Sequence, residues 1–503
     1  NTVRLSNTQL HANQASWQPS SEARYTPKNS IGIYGGKVDV AKDVKFGFNA
    51  GSDETHLMVV AAKSYSENNN GTMEASTEQG NDVAFHGTVE ADANRDAEVN
   101  IAGATVNLDR AKFRMPRGDL GVIAMQSTKG EYGEVDGKWT EKDTTTATSA
   151  NVVQADGMEI DGNLRGTAIY GGRVELKNTT IKTPGKIEIE AYTSRDWTGQ
   201  DNDRITTEDV QTGSDNVVRL EKTKLLNAAP AEANQALKWV YVRGGKVEIK
   251  DSELTSDHSV DVWALKSAKV KQTLDEPAAP FFPNYTTIKG EYHTDASNSV
   301  EISNSKLHAN LASWNTYKKP DCYVSAWGGK VALMGVDIKA PRDVFVYALR
   351  EANSEETADG DKGEIKSDTS NVLDMRGATI EAGGVVEIWG GKTQMKASSV
   401  QAGKIDIAAA NETRTAYPFR EIYPTAETSN TLYLEDVKLK SQANAMDYVA
   451  YAGDADLQGG QVALKKTEID AARATIHSGQ MKQGDDGKFY LTKGTPLHMD
   501  STK

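Results

Sequence analysis

Cysteine is almost missing from this 503-residue chain; Cys322 is its single representative. No internal disulfide can form, and such avoidance suits bacterial proteins exported through an oxidising compartment at least as well as cytosolic ones. Proline is scarce, at 13 residues, which fits strands that must keep their ladder hydrogen bonds. Hydrophobic residues at 38% and aromatics at 7% are few for a compact enzyme core, yet too many and too evenly spread for disorder. No apolar run approaches the roughly 18–20 residues of a membrane span, so the chain is not expected to span one. It opens without Met or an apolar signal region, and a mature product or an excised fragment is expected. Clustered Lys and Arg are also lacking, and the net charge is −14. Nucleic acid and anionic lipid are therefore disfavoured as partners, because neutralising phosphates needs basic clusters.

What is present is repetition. Gly35-Gly36, Gly171-Gly172, Gly244-Gly245, Gly328-Gly329, Gly390-Gly391 and Gly459-Gly460 each sit between short alternating apolar stretches, with Gly103-Ala104 a weakened further copy. Upstream of each lies an Asn that opens a segment such as NTVRLSNTQL, NSVEISNSKL or NTLYLEDVKL: Asn1, Asn81, Asn151, Asn216, Asn298, Asn371 and Asn430. These starts are separated by 59 to 82 residues, the pattern of a fixed scaffold carrying loops of different length. Within a copy the apolar residues alternate with period two, as in Val218 and Leu220, Leu225, Val240 and Val242, Val247 and Ile249, Leu254, Val260, Val262 and Ala264. Strands of two or three inward residues cannot bury their apolar side alone and must stack. One copy holds about six strands, or two triangular turns, so seven copies predict a parallel β-helix of roughly fourteen coils, on the order of 65–70 Å long. The reading assigns residues 1–478 to this solenoid and 479–503 to an irregular tail. Val44 and Phe46 fall one residue out of phase and Val89 one residue early, which reads as bulges or register shifts. The stretch AEANQALKW alone has some helical character.

The segments GGKVEIKDSELTSDHSVDVWALK, GGRVELKNTTIKTPGKIEIEAYT and GGKVALMGVDIKAPRDVFVYALR resemble the repeats of filamentous-haemagglutinin-like adhesins and autotransporter passenger domains. The resemblance covers residues 1 to about 478. It implies a right-handed β-helical exoprotein, displayed on or secreted from a bacterium with an outer membrane by a two-partner or autotransporter route. It further implies adhesion, a role in virulence, and an outer-membrane secretion partner or barrel. It carries over no catalytic or binding residue, since such families share no site motif.

Candidate residues come from outward positions. The Asn and Gly of each copy are read as corner-forming, because stacked Asn side chains satisfy backbone groups and Gly takes tight corners. The residue before the Gly pair is Tyr34, Tyr170, Trp327 or Trp389 in four copies; a second outward column holds Trp263 and Tyr347 among other residues. Aromatics aligned along a flat sheet would suit a glycan, and an apolar strip would suit a protein partner. The simpler expectation is that long loops fold back and bury both columns. A near-copy between distant loops is the sharpest signal. NTVRLSNTQLHANQASW and NSVEISNSKLHANLASW agree at 11 of 17 positions, including His11/His308, Asn13/Asn310 and Trp17/Trp314. Recent duplication explains this most simply; a shared recognition feature, about eight coils or ~38 Å apart, would allow a polymeric ligand to be held twice.

No cofactor is expected. Asp201 with Asp203, Asp359 with Asp361, and Asp485 with Asp486 offer oxygen ligands for Ca²⁺, yet none has the spacing of a defined loop, and solvated acidic loops are the simpler reading. No H-x-x-x-H, G-x-S-x-G, phosphate-binding or dinucleotide motif occurs. The expected function is a non-enzymatic surface adhesin fragment binding a host or bacterial surface glycan or protein. The alternatives are a carbohydrate-active β-helix, either a lyase or glycosidase and including a phage tailspike-like enzyme, or a plain stalk.

Overall fold

A computed structural model of the chain describes residues 1–13, 29–49, 54–67, 73–91, 96–115, 117–135, 138–162, 165–200, 205–227, 239–274, 286–310, 322–357, 360–416, 425–446, 449–483, 489–495 and 497–502. No helix occurs among them, and so none that is long and apolar enough to cross a membrane. Three parallel sheets of fifteen, fourteen and fifteen strands run along the molecule. A coil takes one strand from each, as in Lys246–Lys250, Glu253–Ser256 and Ser259–Ala264. The architecture is a parallel β-helix.

The alternating residues point into a single stacked core. Val247 lies between Val218 and Val300, Leu254 between Leu225 and Leu307, and Val260 between Val240 and Val324. All are essentially without solvent contact. Each such side chain contributes about 1.5–3 kcal/mol on burial, and like stacks on like because neighbouring coils share one register. In the N-terminal part the core includes Phe46, Phe85 and Phe113, whose rings stack at 5.6 and 5.7 Å. The phase shifts read at Val44, Phe46 and Val89 do not interrupt a strand: Phe46, Val89 and Phe113 remain register partners. The extra or missing residue is absorbed at the corner, where Val44 N–H donates to Ala41 O and Thr88 N–H to Val44 O.

Each corner has its own chemistry. Between the first and second sheets one residue takes a left-handed conformation in most coils, including Asn178, Lys222, Asp251, Asn304, Ala397, Asp436 and Lys466, with φ from 46° to 55° across these seven. Between the third and first sheets, alternate coils turn through the Gly pair. A Cβ on Gly172, Gly245, Gly329, Gly391 or Gly460 would overlap a backbone carbonyl of the turn before the corner Asn. Where Ala104 replaces this glycine, the preceding turn takes a different path through Gly80 at φ +99°. The corner Asn links coils: Asn371 Nδ2 donates to Gly329 O at 3.0 Å and Leu349 O at 3.1 Å, and its Oδ1 accepts from Asp368 N–H at 2.8 Å. Asn151, Asn216, Asn298 and Asn430 repeat the arrangement.

The third-to-first corners of the other coils differ from the expected loops. There the chain forms hairpins, such as Ser127–Val135 with Lys138–Thr146 and Ser194–Gln200 with Ile205–Gln211. Hairpins from successive copies pair edge to edge into a fourth, antiparallel sheet of eleven strands. The geometry explains why a repeat spans two coils. Neighbouring strands stand about 4.8 Å apart in either kind of sheet, so one hairpin occupies the height of two coils. A hairpin on every coil would have no room, and one on every third would leave an unpaired edge.

The end of the chain also differs from the expected irregular tail over 479–503. Arg473–Gln483 continues the third sheet and pairs antiparallel with Phe489–Gly494; Leu497–Asp500 then joins the first sheet beside Gln461–Lys465. Cys322 is buried immediately before the strand Tyr323–Gly328. The AEANQALKW stretch lies outside the described residues except for its final Trp239, which opens the strand Trp239–Gly244.

Candidate functional site

The two outward columns of the sequence are one. Parallel register in the third sheet places Tyr170 beside Glu190, Glu190 beside Arg243, Arg243 beside Trp263, Trp263 beside Trp327, Trp327 beside Tyr347, and Tyr347 beside Trp389. Residues from alternate coils look separate along the chain and merge once the coils stack. The antiparallel sheet lies over this merged column. Trp263 and Trp327 stack at 5.0 Å, Tyr292 from a hairpin packs edge-on against both, and Tyr347 contacts Trp327 at 5.5 Å. Tyr347, Trp389, Leu265, Leu349 and small hairpin residues form a second apolar core outside the solenoid. Tyr347 is 4% and Trp389 2% exposed, so neither presents a face to a ligand. Tyr170 and the two Trp rings are half-buried, and Tyr170 donates to Glu188 at 2.6 Å. Of the six outward aromatics singled out, only Tyr34, 47% exposed, stands on open surface.

Of the near-copy residues, His11 and His308 lie in the second-sheet strands Gln9–Asn13 and Lys306–Ala309, close to the corner with the third sheet. His11 is exposed beside Gly47, whose missing side chain leaves space for the imidazole. His308 is half-buried with Nε2 3.0 Å from Asp337 Oδ2, and Asn310 is exposed on a shallow cleft of about 300 Å³ with Lys339, Glu381 and Gln401. Eight ladder steps separate the two strands in the second sheet, roughly 38 Å. Asn13 belongs to the strand Gln9–Asn13. Its side chain, together with Trp17 and Trp314, lies outside the described residues. So do Asp201, Asp203, Asp359, Asp485 and Asp486, and the side chain of Asp361. Among the described residues no group of three His, Cys, Asp or Glu could hold a metal ion.

Sequence reading missed a charged network under the hairpins. Arg243, 2% exposed, donates to Glu190 at 2.7 Å and to Glu208 at 3.0 Å. Arg195 donates to Glu208 at 2.8 Å and lies 4.9 Å above the Tyr170 ring. Burial opposes the Glu208 carboxylate, but Arg243 and Arg195 outweigh it and hold its pKa at about 2. The network ties one hairpin to the solenoid and floors a cleft of about 350 Å³ lined by Glu141, Asp143, Thr145, Tyr170, Lys186, Arg195 and Trp197. A signal was present in the sequence: β-branched, alternating stretches such as KWTEKDTTT and ITTEDVQ precede the corner Asn at a nearly constant distance.

Farther along, Glu387, Asp406 and Asp456 are consecutive register partners. Burial pushes Asp406 up to about 7 despite Lys404 at 3.0 Å, and Glu387 accepts the Tyr347 hydroxyl. Glu387 and Asp406 are 4% and 5% exposed, too enclosed to meet a polysaccharide.

Residues 37–138, from within the first repeat to near the end of the second, match the family model of the hemagglutinin repeat. The parallel solenoid agrees with a filamentous-haemagglutinin-like β-helix, the kind of fold found in bacterial adhesin-like proteins that are secreted or held at the cell surface. No curated protein and no solved structure matches the chain.

Proposed function

We propose that the chain is a non-enzymatic segment of a secreted or surface-displayed bacterial adhesin, binding a host or bacterial surface glycan or protein. The observation that carries this is the hemagglutinin-repeat match within a solenoid whose two-coil repeat is kept from end to end. A long stiff scaffold that repeats one unit is suited to holding binding loops far from a cell. The proposed binding face is the corner between the second and third sheets, near which His11 and the Asn310 cleft lie, and Trp17 and Trp314, which follow these residues in the sequence, are assigned to the same binding function. Two equivalent contacts roughly 38 Å apart would let a repeating ligand gain avidity. An outer-membrane secretion partner or barrel belongs to the same reading.

A glycan and extracellular-matrix array tests it. Trp17→Ala with Trp314→Ala should weaken the strongest signal by about tenfold or more, the size of an aromatic hot-spot contact. Unchanged binding would remove these loops from the function. Catalytic release of reducing ends or unsaturated products from a polysaccharide panel would replace the adhesin reading with an enzymatic one.

A further inference from the structure

The cleft beneath the hairpin sheet is separate from that corner, and nothing in the adhesin reading uses it. Asp143 and Trp197 are register partners on neighbouring antiparallel strands, so their side chains stand on one face about 5 Å apart. Both line the cleft, with Glu141 two residues before Asp143 on the same face and Tyr170 and Lys186 below. The volume of about 350 Å³ falls within the range of small-ligand sites.

The cations at the floor are already engaged. Lys186 sits 3.2 Å from Glu188, and Arg195 is held by Glu208 at 2.8 Å while covering Tyr170. Asp143 differs from them: among the described residues it accepts no hydrogen bond, burial pushes its carboxyl up, and Arg195 acts on it only through space. Cleft and floor together hold five carboxylates, from Glu141, Asp143, Glu188, Glu190 and Glu208, against three cations, from Lys186, Arg195 and Arg243. An indole face suits the C–H face of a pyranose ring or a cation, and an adjacent carboxylate suits an ammonium or hydroxyl group. The excess negative charge repels uronic and sulfated sugars.

We propose that this cleft binds a saccharide unit bearing a free amine, with its ring stacked on Trp197 and its ammonium on Asp143. The walls are prepared for this, because the contacts among Arg195, Glu208, Arg243 and Glu190 hold the Trp197 strand in place before any ligand arrives.

The test is titration of the full chain with a β-1,4-linked glucosamine trimer, its N-acetylated counterpart and a galacturonate trimer, read by calorimetry and tryptophan fluorescence. The amine form should bind, with the acetylated form at least tenfold weaker and the galacturonate form undetected. Asp143→Asn should weaken the amine form about tenfold and leave the acetylated form unchanged, whereas Trp197→Ala should abolish both. Trp197 is only half-buried, and an unaltered melting temperature for its variant separates lost binding from lost fold. Equal binding of the galacturonate trimer, no difference between the wild type and Trp197→Ala, or release of reducing ends would overturn the proposal. Array binding through the Trp17 and Trp314 loops should not respond to Trp197→Ala, so the two sites can fail separately.

Discussion

Asp406 shows what one side chain in the wrong dielectric does to a solenoid. Its carboxyl is pushed by burial from an ordinary 3.8 to about 7, and Lys404 only partly opposes this. Between about pH 4 and 7 the folded protein holds a proton that the unfolded chain has released, so stability falls as pH rises across that window. Asp406→Asn removes the titration. The shift sets an upper bound of about 4 kcal/mol, and leaving Lys404 without its partner offsets part of that. The variant should therefore melt higher at pH 8, by about 1–2 kcal/mol, with little gain at pH 4. Thermal melts across pH check this; an equal shift at both pH values would mean the carboxylate is not the source.

Among the elements, the Gly-pair turn is the least tolerant of change. A methyl at Gly391 has no space, because its Cβ would overlap the Asp368 carbonyl, and Asn371 pins the same turn to the coil before it. At Gly133, in the hairpin strand Ser127–Val135, an added Cβ meets no described atom within 4 Å. Gly391→Ala should cost about 2–4 kcal/mol and open the adjoining hairpin to protease, whereas Gly133→Ala should cost under about 1 kcal/mol. Chemical denaturation of the two variants side by side makes the comparison. The hairpins work differently from the turns. Their hold on the solenoid comes from the Trp263, Trp327 and Tyr292 contacts in one region and the Arg243 and Glu208 contacts in another, so each hairpin is anchored by its own chemistry.

At the scale of the whole molecule, the matched heights of hairpin and coil pair decide which rearrangements survive. Deleting residues 298–370 removes one complete copy, brings Trp263 next to Trp389, and leaves hairpins evenly spaced. This deletion should fold and shorten the rod by about 10 Å, measured by small-angle scattering. Deleting only residues 299–329 removes a single coil and leaves two successive hairpins one coil apart, half the height that a hairpin occupies. That protein should lose the continuity of the antiparallel sheet and melt in more than one step. Cooperative melting of the single-coil deletion would show that the fourth sheet is not coupled to the solenoid.

The stacked core, the two-coil period and the corner roles of Asn and Gly were legible in the chain, because each depends on a local pattern repeated seven times. Val218, Leu225 and Val240 alternate whatever surrounds them, and alternation with tight turns leaves stacking as the one way to bury them. The fate of the outward residues was not legible. Trp389 and Tyr34 occupy equivalent places in their repeats, yet one is sealed under a hairpin and the other is open. That difference depends on which insertion lies overhead, and so on contacts between segments far apart in sequence. For the same reason Arg195, Glu208, Arg243 and Glu190, spread over 54 residues, read as ordinary surface charges along the chain. Sequence alone determined the parallel β-helix, since period and turn chemistry are properties of neighbours. Only the tertiary structure decided that its insertions form a sheet, which aromatics that sheet covers and where it leaves a cleft, since those depend on the register between coils.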